Sequence, residues 1–300
     1  MRIGIFGGDT GNGPISAITD LARTTADAGF ASFWLPQIFG VDALTALAII
    51  ADDAPGIELG TAVVPTYPRH PVMLAQQALT TQAATGGRLT LGIGLSHQLV
   101  IEGMYGYSFA KPVRHMREYL EILVPLVHGE AASFSGETLT GRATIDVKGA
   151  TPCPILVAAL GTQMLELAGT VADGTVTWMT GPATIESHIV PTITAAAERA
   201  GRPAPRVGVG LPVCVTSDTT RARERAARTF ELYGSLPSYR AMLDREGAPG
   251  PADVAMVGDE DEVRRQVERL ANGGATDFVA NIYGSTEERD RTHALLRSLV

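Results

Sequence analysis

Short apolar runs rich in branched residues alternate with helical patterns along almost the whole chain. "RIGIF" at residues 2–6 reads as a strand, and the segment after it reads as a helix with Pro14 at its start and Gly29 at its end, the usual placement of these two residue types at helix termini. "SFWLP" (32–36), "IELGTAVV" (57–64) and "LTLGIG" (89–94) predict three more strands, followed by helices at 42–53, 71–85 and 113–127. "PILVAAL" (154–160), "TVTWM" (175–179), "RVGVGLPVCVT" (206–216) and "TDFVANIYG" (276–284) complete eight, with helices expected at 164–172, 185–200, 219–232 and 287–299. A further helix in "GDEDEVRRQVERLANGG" opens at Asp259 with Glu262 three positions on, a relative of the capping box.

Three segments break this rhythm. Residues 129–152 alternate and are rich in Gly and Thr, which predicts a small hairpin before the fifth strand. "LVIEGMYGYSFAKP" (99–112), after the fourth strand, holds two glycines and a proline and is expected not to open directly as a helix. Residues 235–257, after the seventh, read as an irregular insertion.

Eight strand–helix units whose strands are apolar on both faces predict a parallel sheet covered by helices. Closed, this is an α/β TIM (β/α)8 barrel, with insertions after strands 4 and 7 and a hairpin insertion before strand 5. The chain's 300 residues exceed the roughly 250 of a plain barrel, and the insertions account for the excess. The whole chain, 1–300, is then expected to be one domain. An open doubly wound sheet is the alternative, because strand count does not separate the two.

Hydrophobic residues make up 45% and charged residues 19% of the chain, enough apolar content for a sizeable core. The formal charge is −8 with basic residues scattered, which disfavours a nucleic-acid face. Cys153 and Cys214 lie far apart and outside metal-ligand spacing, as suits a reducing cytoplasm. The first residues do not read as a signal peptide, and no run reaches the roughly 18 apolar residues of a membrane span. A soluble cytoplasmic protein is expected.

Several motifs invite chemistry. "GGDTGNGP" (7–14) follows the first strand but lacks the Gly-Lys-Ser/Thr ending of a phosphate loop and the dinucleotide pattern, so a turn ahead of a proline-started helix is expected. "GLSHQ" (94–98) resembles a nucleophile elbow, yet Gln98 stands where that motif needs its second glycine, which disfavours a hydrolase. His97 reads either as an inert loop histidine or as a proton donor, since its ordinary pKa suits acid–base work and barrel active sites lie at the carboxyl ends of strands. "VAALGTQ" (157–163) runs from a strand into a helix through small residues, a natural anion cradle or simply a tight turn. Trp178 ends the sixth strand and is either core or cavity wall. His70, His115, His128 and His188 stand alone, so no metal site is expected.

Taken together, "GFASFWLPQ", "IELGTAVVPTYPRHPVMLAQQALT", "GGRLTLGIGLSH", "EGMYGYSFAKPVRHMREYLEIL", "PILVAALGTQMLELAGTVADGTVTW" and "GGATDFVA" resemble the bacterial luciferase-like monooxygenase superfamily. The nearest branch is the actinobacterial one that uses the deazaflavin coenzyme F420. The resemblance implies a redox ring in the barrel mouth, resting against a bulge in the third strand with a non-prolyl cis peptide at Ala62–Val63. It implies that Leu95, Ser96 and His97 border the ring and that Ala159, Leu160, Gly161 and Thr162 face the phosphate. Gln37 falls where sugar-phosphate dehydrogenases of the family carry an aspartate before a catalytic histidine; here Gln37-Ile38 replaces that pair, which disfavours a glucose-6-phosphate substrate. His97 is then the best remaining proton donor, with Phe39, Met104, Tyr105 and Trp178 expected at the substrate pocket.

The function so implied is an F420-dependent oxidoreductase moving a hydride to or from a small organic substrate such as an activated C=C, C=N or carbonyl. Arg69, Lys111 and Arg114 are the candidates to meet the coenzyme's glutamate tail. The alternatives are an FMN-dependent monooxygenase using oxygen and a non-catalytic flavin-binding barrel. A homodimer is the default assembly.

Overall fold

The computed structural model describes residues 1–8 and 13–300. Within the glycine-rich stretch 7–14, expected to be a turn, residues 9–12 lie outside the described residues.

In chain order the strands are β1 (Arg2–Phe6), β2 (Ser32–Leu35), β3 (Glu58–Thr61), β4 (Val64–Pro65), β5 (Leu89–Gly94), β6 (Ala132–Ser135), β7 (Thr140–Ala143), β8 (Ile155–Val157), β9 (Gly174–Trp178), β10 (Arg206–Val215), β11 (Met256–Gly258) and β12 (Asp277–Ile282). Pairing runs β12–β1–β2–β3–β5–β8–β9–β10, and β10 pairs again with β12. The sheet is therefore a closed, parallel, eight-stranded TIM-like barrel, which excludes the open doubly wound alternative. β4 continues the third barrel strand against β5, and β11 runs beside the end of β10. The antiparallel pair β6–β7 stands apart from the barrel.

Alternation along each strand builds two cores. Outward residues such as Ile3, Ile5, Phe33 and Leu35 join the large apolar shell beneath the helices. Trp34, Leu156, Val176 and Val279, with Phe6, Ala62 and Val63 against them, form a separate cluster inside the ring of strands. Glycines make room for the large interior rings: a Cβ on Gly60 would lie 2.2 Å from the Trp34 indole, and one on Gly210 2.8 Å from Trp178.

The amino ends of the strands are closed by charge. Arg206 spans Glu58 at 3.0 Å and Asp277 at 2.8 Å, and Arg2 joins Glu58 at 2.8 Å. Buried charges persist only where paired in this way. With that end sealed and the middle filled, the carboxyl ends of the strands are left to form a site.

The structure departs from the pattern-based expectations where apolar periodicity is weak. Residues 235–257 are not irregular throughout: Pro237–Glu246 is a helix with Pro at its start and Gly247 in a left-handed conformation at its end. It buries only Met242 and Leu243, too short a stripe to register as a period. Gln98–Gly103 is a short helix directly after β5, where a loop was expected. The helix expected at 219–232 stops at Thr229, and a separate turn of helix covers Glu231–Ser235. The third strand is interrupted between Thr61 and Val64. No described helix is long and apolar enough to cross a membrane.

Candidate active site

At the carboxyl end of the barrel the interruption of the third strand forms a shelf. The Ala62–Val63 peptide is cis, as the resemblance implied. Gly92 and Gly94 of β5 face this shelf, and they explain the sequence "LGIG". A Cβ on Gly92 would sit 1.9 Å from the Thr61 carbonyl oxygen, and one on Gly94 2.7 Å from a Val63 methyl. The Thr61 hydroxyl donates to the Gly92 carbonyl and accepts from the Gly92 N–H, both at 2.8 Å. Beyond the shelf, Thr66 N–H donates to the Gly94 carbonyl at 2.9 Å, and Ala158 N–H to that of Ile93 at 2.8 Å. The ends of three neighbouring strands, carrying Ala62–Val63, Gly94–His97 and Ala158–Gly161, are thus contiguous.

The chain leaves β5 through half-buried Leu95 and Ser96, the latter at φ 60°. A left-handed conformation is uncommon for a residue with a side chain, and here it turns the chain so that His97 opens the helix Gln98–Gly103. The His97 carbonyl accepts from Val100 and Ile101, both at 2.9 Å. Burial holds the His97 pKa below the ordinary histidine value, so its ring is neutral at neutral pH.

His97 does not stand alone. Its ring lies 5.8 Å from that of Tyr239, which is 5.1 Å from Tyr233. Tyr233 is 5.9 Å from Trp178, and Trp178 is 5.3 Å from Phe6 inside the barrel. These rings form a continuous aromatic wall. The Trp178 indole N–H is buried and faces the Tyr233 hydroxyl, an interaction that opposes the rise burial gives the tyrosine pKa. Tyr233 and Tyr239 belong to the segment after β10, and sequence reasoning missed both. Glu246 fastens that segment by accepting from the Ala183 N–H at 3.1 Å and the Thr184 N–H at 2.7 Å. The only available signal was a proline-started, glycine-stopped stretch with one tyrosine before it and one inside it.

Next to the shelf, the helix Thr162–Val171 begins at Gly161, which is extended and offers no side-chain cap. A Cβ on Gly161 would meet nothing within 4 Å, and Gly161, Thr162 and Gln163 are exposed. His188 Nε2 lies 2.8 Å from the Leu160 carbonyl oxygen and steadies the loop, while Ala159 is buried beneath it. An uncapped helix start of this kind accommodates a phosphate.

Other anticipated residues make contacts of their own. The Gln37 side-chain carbonyl accepts from the Ala43 N–H at 2.7 Å, so it starts the next helix. Arg69 is ion-paired with Asp42 and lines an outer groove of about 510 Å³ with Met73 and Gln77. Arg114 is paired with Glu137, and Lys111 lies 3.9 Å from the same carboxylate. Phe39, Met104 and Tyr105 are exposed to 58%, 62% and 40%, a rim and not an enclosing wall. A second aromatic group was not foreseen: Tyr67 stacks on His115 at 3.9 Å and on Phe109 at 5.4 Å. His115 Nε2 lies 3.0 Å from the Thr66 hydroxyl, and this group fastens the loop after β5.

Comparison with known proteins agrees with this architecture. The chain belongs to the luciferase-like monooxygenase family, whose sequence model matches residues 1–277, and it is an oxidoreductase of that class. It is 30% identical over 290 residues to 5,10-methylenetetrahydromethanopterin reductase of Methanolobus tindarius, covering 96% of this chain and 87% of that one. It is 29% identical over 251 residues to the F420-dependent glucose-6-phosphate dehydrogenase of Nakamurella multipartita, covering 81% and 69%. The coenzyme F420 dependent tetrahydromethanopterin reductase of Methanopyrus kandleri superposes with a TM-score of 0.83 at 21% identity, covering 100% of this chain and 98% of that one.

Proposed function

We propose that this protein is a coenzyme F420-dependent oxidoreductase that moves a hydride between the deazaflavin and a small organic substrate. The observation that carries the reading is the contiguity of the glycine-backed shelf at Ala62–Val63 with the uncapped helix start at Gly161. Relatives of this chain whose names include F420 dependence support it.

In this reading Ala62 and Val63 support the ring from behind, and Leu95 and Ser96 border its edge. Ala159, Leu160, Gly161 and Thr162 hold the phosphate through backbone N–H groups. When bound, the coenzyme supplies or accepts the hydride. His97 handles the accompanying proton: its imidazolium gives one to the atom beside the carbon that receives the hydride, and its neutral ring takes one in the reverse direction. Trp178 and the rim residues Phe39, Met104 and Tyr105 orient the substrate. Gln37, occupied as a helix start, contributes through the shape of its loop.

One observation favours a second reading, an FMN-dependent monooxygenase. Arg69 and Arg114 are each paired with an acid, so neither is a free cation for the glutamate tail of coenzyme F420, and FMN needs only the phosphate cradle. Parallel titrations with the two cofactors, followed by tryptophan quenching, separate the readings. The F420 reading expects at least about tenfold tighter binding of the deazaflavin, equivalent to about 1.4 kcal/mol. Tighter binding of FMN, with oxygen consumption on reduction, overturns it.

A further inference from the structure

The loop from β8 into the helix Thr162–Val171 is short, Ala158–Gly161, and a buried side chain reaches it from the next strand–helix unit. His188, 7% exposed, places Nε2 2.8 Å from the Leu160 carbonyl oxygen. A carbonyl only accepts, so Nε2 carries the proton. The ring comes from Ile185–Ile189, a π-helical turn between α-helical segments at Pro182–Thr184 and Val190–Arg199. Such turns are rare and gather at functional sites. Ile185 and Ile189 are wholly buried and anchor this one.

The bonded carbonyl belongs to the peptide that also carries the Gly161 N–H. That peptide is trans, and a trans peptide is planar with its N–H opposed to its C=O. With the Leu160 oxygen drawn to His188, the Gly161 N–H points away from the ring. Among the described residues no acceptor meets this N–H, nor those of Thr162 and Gln163 that follow it.

Backbone sterics at Gly161 offer little resistance to turning this peptide over, a movement that changes ψ of Leu160 and φ of Gly161 together. Gly161 sits at φ −78°, but glycine adopts positive φ about as readily, and a Cβ there would meet nothing within 4 Å. Reversal would set the Leu160 oxygen where the N–H now stands, and a carbonyl oxygen repels an anion. The His188 bond opposes that reversal.

We infer that His188 is a positioning residue for the cofactor's phosphate: it locks the Leu160–Gly161 peptide in the orientation that gives the Gly161 N–H to the anion. This rests on the cradle assigned under the proposed function and adds the side chain that sets the cradle's polarity. His188 acts through the peptide and not by contact with the anion.

The test uses two pairs of ligands. FMN and riboflavin differ by the phosphate alone; coenzyme F420 and its deazariboflavin core differ by the phosphate and the tail. Fluorescence titration of each pair gives the preference for the phosphorylated member. His188→Leu is expected to lower that preference about tenfold, as for one lost hydrogen bond to a charged group, with the phosphate-free ligand unchanged within about twofold. His188→Gln, whose side-chain N–H reaches the same carbonyl, is expected to restore most of it. Adding Gly161→Ala to His188→Leu is expected to recover part, because alanine disfavours the positive φ of the reversed peptide. Failure of both to do so overturns the inference. Equal weakening of both members of a pair makes His188 a structural support only and overturns it too, as does a wild-type protein with no preference to lose. Nitrogen NMR shifts of the His188 ring in the wild-type protein give a readout that depends on no variant. A proton on Nε2 is expected, and a ring protonated at Nδ1 alone overturns the inference. Tighter wild-type binding of FMN than of coenzyme F420 overturns the cofactor assignment instead, because the effect of His188 is then read on FMN against riboflavin.

Discussion

The ring of His97 lies 5.8 Å from that of Tyr239, tilted by 57°. One residue leaves the fourth strand of the barrel and the other comes from a helix more than a hundred positions later, so two distant parts of the chain meet over the mouth. The neighbouring tyrosine shields the histidine from water, and that burial is what lowers its pKa.

Replacing His97 by Ala is expected to lower turnover by roughly 10²–10⁴-fold if the ring handles the proton, with cofactor affinity unchanged within about twofold. In the direction that consumes a proton, the rate should rise as pH falls from 7 toward 5, because the lowered pKa leaves little imidazolium at neutrality. A flat pH profile, with turnover unaltered in the variant, reduces His97 to a bystander.

Gly92 faces a backbone oxygen, not a flexible side chain. Its added Cβ would approach the Thr61 carbonyl oxygen to 1.9 Å, and that group cannot rotate away. Gly92→Ala is therefore expected to destabilise by about 1–3 kcal/mol, as overpacking does, and to weaken cofactor binding by displacing the shelf. Urea unfolding and a cofactor titration measure the two effects.

His115 is buried against Tyr67, and its pKa is pushed down to about 4. The folded state then binds fewer protons than the unfolded state between that value and the ordinary 6.5. The associated stability is fully present above pH 6.5 and is lost as pH falls toward 4, by about 3 kcal/mol at most. Unfolding curves at pH 7.5 and 4.5 should show this loss, and His115→Gln should reduce it.

Glu118 holds the β6–β7 hairpin to the helix Pro112–Val127. Its carboxylate accepts from the N–H groups of Glu137, Thr138 and Leu139 and from the Thr138 hydroxyl. Despite the opposing cost of burial, these bonds bring its pKa down to about 2. Stability from this group is present above the unfolded value near 4.5 and disappears as pH falls toward 2, a lower window than that of His115. Glu118→Gln is expected to cost about 1.5–3 kcal/mol and to speed hydrogen exchange at residues 137–139. Exchange there at the wild-type rate contradicts the assignment.

Glu246 secures the helix bearing Tyr239. Glu246→Ala frees two N–H groups at Ala183 and Thr184, and is expected to raise KM about tenfold or more with cofactor affinity retained. Equal losses in both would mean that the whole carboxyl face had been disturbed.

Much of this fold was legible because parallel barrel strands are apolar on both faces and punctuated by glycine. The eight barrel strands and the helices that separate them follow that pattern closely. Legibility failed where tertiary contact replaces periodicity. The helix Pro237–Glu246 buries two residues and so has no stripe to see, and with it went Tyr239. Arg69 read as a cation awaiting an anion, but Asp42, twenty-seven positions away, was its partner. The Gln37 side-chain carbonyl accepts from the Ala43 N–H at the start of a helix, a bond that spacing does not show. The shelf at Ala62–Val63 came from family resemblance, since spacing says nothing about peptide geometry; its glycine backing could have been suspected from "LGIG" alone.

Arg206, bridging Glu58 and Asp277 beneath a filled interior, closes the amino end of the barrel. In the proposed reading cofactor and substrate share the opposite end, so whichever guest settles outermost governs when the inner one can be exchanged.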